Sequence, residues 1–332
     1  MQMIKYNKIP KVELHLHLDC SLSFDVVNRI NPLIEIDEYR SSFQAKHNSS
    51  SLNDYINCAD RAIELMQTRE NLELVVEDLF KQLKKENVIY AEIRFAPLLH
   101  CEQGLDENMV VEIVCNRAKI ESKKNNIAYG LILCTLRHYS KKQSLETVRL
   151  VKQYKDKGIV GFDIAADEAG HPLDNHIEAF NYANSHGLNI TAHAGEAKGP
   201  ESIWESIKKL HTKRIGHGVR CVEDPELVNY LSENDYHLEI CLTSNIKTKT
   251  FKTFEDHPLN KIYNSSISLS LNTDGRTISN TDLSLEYKIA QEKFGWNIDK
   301  IKKSNLEAIK HSFTSSSIKS KLIKKIKSSN LF

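Results

Sequence analysis

Residues 11–19 read Lys-Val-Glu-Leu-His-Leu-His-Leu-Asp. Residue types alternate along this stretch, and the turn-prone Cys20-Ser21-Leu22-Ser23 follows, so it predicts a β-strand ending near Asp19. Side chains two apart on a strand point the same way. His15, His17 and Asp19 therefore share one face, and Leu14, Leu16 and Leu18 share the other. Two imidazoles and a carboxylate at a strand end are the start of a metal or proton-transfer site. The alternative is a strand that turns polar residues to water, and residues elsewhere in the chain must decide.

Seven more strand-like, β-branched segments follow: 90–97, 129–137, 159–165, 189–194, 214–217, 237–242 and 266–272. Helical patterns separate most of them, at 109–122, 145–156, 176–185, 201–211 and 225–233. Strand plus helix, repeated eight times, predicts a (β/α)8 barrel that takes residues 1–332 as one domain. Two departures from the plain repeat stand out. Residues 31–88 form an extended insertion after the first strand. Residues 31–51 within it read as polar and irregular, with Ser49-Ser50-Ser51 as a cap or loop. Leu52, Tyr55, Ile56, Ala59, Ile63 and Met66 then keep a helical period, a candidate lid over the face where such barrels carry their chemistry. From Ile301 onward, lysine-rich amphipathic helices close the chain, their charge read as a solvated face.

Lys+Arg is 45 and Asp+Glu is 44, which gives no electrostatic footprint for nucleic acid or a membrane surface. No apolar run reaches the ~18–20 residues of a membrane span, and the first ten residues lack a signal-peptide core. The seven cysteines are scattered, with no Cys-x-x-Cys pair. That fits a reducing compartment rather than a disulfide framework or a cysteine zinc site. The expectation is a cytoplasmic protein acting on a small molecule, with the oligomeric state left open.

Barrel chemistry sits at the C-terminal ends of the strands. Those ends carry His15, His17 and Asp19, then Ala166-Asp167-Glu168, His193-Ala194-Gly195-Glu196, His217 and Asp274. Three imidazoles with a carboxylate suit one divalent cation, zinc above others, and zinc lowers the pKa of bound water from 15.7 towards ~7. Hydrolysis also needs a base or orienter and an acid, and His217 and Glu196 are available for these roles. No lysine ends the fourth strand to be carbamylated into a bridge, so one cation per chain is expected.

At this point the chain resembles the adenosine deaminase family of metal-dependent amidohydrolases. The matching segments are 11–19, Glu-Ile-Arg-Phe-Ala-Pro at 92–97, His-Ala-Gly-Glu at 193–196, Arg-Ile-Gly-His-Gly at 214–218, Leu-Thr-Ser-Asn at 242–245 and Ser-Leu-Asn-Thr-Asp at 270–274. They span nearly the whole chain in the family's order. The His-x-Glu and Pro-Cys-x-x-Cys signature of cytidine-type deaminases is absent. The resemblance implies zinc-dependent conversion of adenosine, and of 2′-deoxyadenosine, to inosine-type product plus ammonia in purine salvage. It implies His15, His17, His193 and Asp274 as zinc ligands. It gives Glu196 the role of acid toward the purine ring nitrogen and His217 that of orienter or base, with Asp274 assisting. Asp19 would hold a ribose hydroxyl, and His17 would border the substrate.

Four positions depart from the common pattern: Cys20 and Ala166 stand where glycine is usual, Leu242 where proline is, and Gly275 where a second aspartate contacts the far purine ring. Ala166 keeps the backbone amide that donates to the purine but narrows the approach. Gly275 has no side chain to offer, so base recognition is expected to lean less on the far ring. Two other readings accompany the main one: an aminohydrolase for adenine or an N6-substituted adenine nucleotide, and a non-catalytic nucleoside-binding protein on the same barrel.

Overall fold

The computed structural model describes residues 5–45, 52–329 and 331. The Ser49-Ser50-Ser51 reading lies outside the described residues. Eight strands run β1 Lys11–His17, β2 Val88–Phe95, β3 Ala128–Leu136, β4 Ile159–Ala165, β5 Thr191–Ala194, β6 Arg214–His217, β7 His237–Ile240 and β8 Ser268–Leu271. All paired neighbours are parallel and in chain order, as β1-β2-β3-β4 and β5-β6-β7-β8. Two narrow seams join these halves into a barrel. At one, Phe162 N–H donates to the Asn189 carbonyl at 3.0 Å. At the other, His17 N–H donates to the Asp274 carbonyl at 2.9 Å and Asp274 N–H to the His15 carbonyl at 3.0 Å. The (β/α)8 barrel read from the sequence is the fold observed.

Strand β1 is buried on both faces, so the leucine face is not the only dry one. Leu16 joins the shell between strands and helices, while the histidine face looks into the barrel, which is packed in this fold rather than hollow. The strand stops at His17, and Leu18 N–H bonds the Arg94 carbonyl at 2.8 Å, so Asp19 sits in the turn beyond the strand.

The helical patterns are met with small shifts in their ends. Pro225–Glu233 matches, with Asp224 capping its first turn. The 201–211 pattern divides into Pro200–Glu205 and a wider π turn over Ser206–Leu210. Two expectations are corrected. Residues 31–45 are not uniformly irregular, because Ile36–Ser42 is helical. Its Asp37 and Glu38 start the helix and Arg40 ends it, matching the dipole, and Tyr39 is buried with its hydroxyl on the Leu22 carbonyl at 2.8 Å. The seventh strand ends at Ile240, and Leu242–Lys247 is a helix rather than strand.

The terminal helices Ile298–His311 and Ser316–Lys327 plug the barrel floor. Ile309, Leu322 and Ile326 pack on Val12, Leu14 and Tyr90, and the Phe313 ring lies 3.9 Å from the Arg214 guanidinium. No helix among the described residues is long and apolar enough to cross a membrane. No disulfide joins the cysteines among the described residues.

Candidate active site

At the open end of the barrel the separated sequence signals meet. Ligand-capable atoms of His15, His193, His217 and Asp274 all lie within 4.8 Å of one another. His17 joins them: its Nε2 is 3.2 Å from His193 Nε2 and 3.3 Å from Asp274 Oδ1. Five donor groups therefore converge, one more than the four expected as ligands. His217, expected as orienter or base, stands inside the same group.

The donor set fits a cation. His15 Nε2 is fully buried with no hydrogen-bond partner and lies 3.3 Å from Asp274 Oδ1. A buried nitrogen left unpaired costs free energy unless something electrophilic meets it. Imidazole nitrogens plus one carboxylate oxygen are the ligands divalent zinc accepts.

Below these groups lies a layer of buried charge. Arg94 donates to Asp163 Oδ2 at 2.7 Å, to Glu239 Oε2 at 2.8 Å and to the Leu14 carbonyl at 2.6 Å. Arg214 pairs with Glu92 at 2.6 Å and with Glu239 at 2.5 Å. The two acids bridge upward: His15 Nδ1 is 2.9 Å from Glu239 Oε2, and His193 Nδ1 is 3.1 Å from Asp163 Oδ2. A carboxylate beside Nδ1 holds the proton there and leaves Nε2 as a lone pair facing the site. Despite complete burial, Arg214, Arg94 and the bond from His15 hold the Glu239 carboxyl well below the usual range. Glu92 and Arg94 on β2 thus serve this polar layer rather than the cavity.

Glu196 follows β5 on a loop clamped by Glu168, which accepts backbone N–H bonds from Gly195 (2.7 Å), Glu196 (3.0 Å), Ala197 (2.6 Å) and Lys198 (2.9 Å). Gly195 takes φ +68°, and a Cβ there would meet the Ile203 side chain at 2.4 Å. Glu168 is thus a loop anchor. Burial, then the charges of Asp274 and Glu168, push the Glu196 carboxyl well above its ordinary pKa. Its Oε2 is 3.5 Å from His217 Nε2. Burial holds the His217 imidazole well below 6.5, in its neutral form. His217 and Asp274 both take positive φ, 61° and 63°. Such strain in non-glycine residues is characteristic of sites where geometry overrides backbone preference.

These groups floor a cavity of about 240 Å³, which His17, Asp19 and Ala166 also line. Ala166 itself sits at φ 76°. Its roof is the apolar face of the helical insertion: Leu52, Tyr55, Ile56, Ala59 and Ile63. Burial raises the Asp19 carboxyl to about 6. Among the described residues no lysine or arginine lines the cavity, whereas Asp19 and Asp60 do.

Gly275 is not brought to the cavity. A Cβ there would lie 2.9 Å from Cys20 Cβ and 3.0 Å from the Tyr55 hydroxyl, so these two side chains occupy the space that an aspartate would need. Tyr55 seats its hydroxyl 2.8 Å from Ser279 Oγ and 3.4 Å from Asp274 Oδ2. Arg276 turns away to Glu13 and Glu86. Gly275→Asp is expected to cost about 1–3 kcal/mol through overpacking. Adding Cys20→Gly should recover part of it, as urea midpoints of the single and double variants will measure.

Two site residues escaped the sequence reading. Ser244 Oγ donates to Asp274 Oδ2 at 2.7 Å, and Asn245 Nδ2 reaches His217 Nδ1 at 3.1 Å. The helix Leu242–Lys247 aims them inward, where the sequence pattern predicts a strand running to residue 242. The Leu-Thr-Ser-Asn segment was the available signal.

The family model described as adenosine deaminase matches residues 10–329. A Clostridium acetobutylicum protein named adenosine deaminase is 39% identical over 325 residues, covering 96% of this chain and 97% of its own length. An Arabidopsis N6-mAMP deaminase superposes with TM-score 0.89 at 25% identity, covering 98% of this chain and all of that one. An adenine deaminase from Arthrobacter aurescens shares the fold, with TM-score 0.88 at 22% identity over 96% of this chain and 98% of its own.

Proposed function

Because the chain belongs to the adenosine deaminase family, we propose that it hydrolyses adenosine, and 2′-deoxyadenosine, at carbon 6 to give inosine or 2′-deoxyinosine plus ammonia, with zinc as its cation. The convergence of Glu196 with His15, His17, His193, His217 and Asp274 at the cavity floor carries this reading. His15, His17, His193 and Asp274 would hold the cation. When bound, it makes hydroxide available near neutral pH.

The chain's own residues supply the rest. A Glu196 carboxyl kept protonated by burial can give its proton to the purine ring nitrogen beside the reacting carbon. That transfer relieves the charge that builds on the ring as the carbon becomes tetrahedral. The Ala166 amide would donate to the purine. Asp19 would accept from a ribose hydroxyl, and the Ala96 amide, 3.3 Å from its Oδ2, helps hold it. Segment 31–88 would act as the lid, with Leu52, Ile56 and Ile63 excluding water above the base.

The cavity's charge favours a nucleoside over a nucleotide. A 5′-phosphate would enter a site bordered by Asp19 and Asp60, with no lysine or arginine lining it among the described residues. Zinc-loaded protein should therefore release ammonia from adenosine with kcat/KM at least ~100-fold above that for AMP or N6-methyl-AMP, a difference of roughly 3 kcal/mol. Chelation should abolish the activity. Turnover of adenine or a nucleotide without adenosine would move the assignment to the related aminohydrolases, and ammonia release from no purine would favour a binding protein.

A further inference from the structure

Three of the four histidines at the site, His15, His193 and His217, are wired in opposite senses. His15 and His193 face carboxylates through Nδ1, so their protons sit there and their Nε2 lone pairs are free. His217 faces an amide instead, and the direction of that bond follows from a backbone group that can only donate.

Leu259 opens the helix Leu259–Asn264, so its N–H is one of the orphan donors of a helix N-terminus. It donates to His257 Nδ1 at 3.2 Å. That nitrogen must therefore be the acceptor, and the proton of His257 lies on Nε2. His257 is buried, which lowers its pKa to about 3 and keeps one proton on the ring. His257 Nε2 then donates to Asn245 Oδ1 at 3.2 Å. The Asn245 amide is thereby fixed with its nitrogen toward His217, whose Nδ1 accepts at 3.1 Å. A neutral imidazole that accepts at Nδ1 carries its proton on Nε2. That Nε2 lies 3.5 Å from Glu196 Oε2, on the side of the reacting centre.

We infer that His217 serves the reacting centre as a hydrogen-bond donor through Nε2–H rather than as a base or ligand, with Asn245 and His257 as the positioning residues that impose this tautomer. A nitrogen bearing a proton has no lone pair for a cation. This separates His217 from the other members of the five-donor group and leaves His15, His17, His193 and Asp274 to bind. The side chains of the relay, His217, Asn245 and His257, are all buried, so water does not compete for its bonds.

The catalytic consequence rests on the deaminase reading, but the tautomer does not. The test is two-arm. In zinc-loaded protein with 15N-labelled histidine, the His217 ring should show its proton on Nε2 at neutral pH. Asn245→Asp places a carboxylate against Nδ1 and should move the proton to Nδ1, with kcat falling about 100-fold while KM changes less than about threefold. His257→Leu frees the Asn245 amide and should lower kcat about tenfold, and His257→Gln, which keeps a donor in place, should restore most of it. A proton on Nδ1 in the wild-type protein overturns the inference. So does an Asn245→Asp variant with wild-type kcat, or an equal loss in His257→Leu and His257→Gln. If no purine is turned over, the deaminase reading fails, and the labelled spectrum still decides the tautomer.

Discussion

Glu196→Gln is expected to lower kcat about 10³-fold, roughly 4 kcal/mol of barrier, while the cation content of the protein stays at one per chain. Glutamine keeps the size and polarity of the side chain, and its amide can still hydrogen-bond a ring nitrogen. It cannot surrender a proton to that nitrogen as the reacting carbon becomes tetrahedral. The carboxyl is not one of the converging cation-binding groups, so loading should be unaffected. Its loop is anchored by Glu168 through backbone amides, none of which the substitution touches. Stopped assays on adenosine with elemental analysis of the same sample will check both halves. Loss of cation along with activity would mean that Glu196 binds rather than protonates. A variant still within tenfold of wild type would remove it from the acid role.

Arg94→Ala should be the most damaging change away from the cavity, costing about 3–5 kcal/mol of stability and weakening cation affinity about 10–100-fold. The guanidinium is wholly buried and joins Asp163 to Glu239. Removing it leaves two acids in the barrel interior short of a buried counter-charge that both share. Arg214 still reaches Glu239, but among the described residues Asp163 keeps His193 and a 3.7 Å contact from the Cys134 thiol. Those same acids hold the Nδ1 protons of His15 and His193, so loss of stability and loss of affinity should appear together. Urea unfolding with and without excess chelator separates them: the midpoint should drop in both series, and the gain from added zinc should shrink. An unchanged midpoint would mean that the layer contributes no net stability.

The barrel was legible because its strands are short, apolar and punctuated, and because period 2 and period 3.6 alternate along the chain. The β4 and β6 limits were read to the residue, as was the helix Pro225–Glu233. His15, His17, His193, Glu196, His217 and Asp274 were legible because barrel geometry places chemistry at strand ends. Misreadings arose where tertiary contacts override local signals. Leu242 follows an apolar strand directly, and nothing local marks the switch to helix that turns Ser244 and Asn245 inward. Ile36–Ser42 has a weak cap and a polar face, so packing of Tyr39 decides it. Gly275 looked like a lost contact; that Cys20 and Tyr55 already fill its place could be learned only from positions 20, 55 and 275 meeting in space.

Among the described residues the strand ladders of the two half-barrels meet at two slender sutures, and one of these runs between His15, His17 and Asp274. A cation gripped there takes His15 and His17 from the first half and His193 and Asp274 from the second, so it would rivet the halves across their own joint. Ligand that binds only the assembled form adds its binding free energy to assembly. Two polypeptides made by severing the chain between β4 and β5 would therefore be expected to pair more tightly when zinc is present, with the reagent for chemistry doubling as a clasp of the architecture.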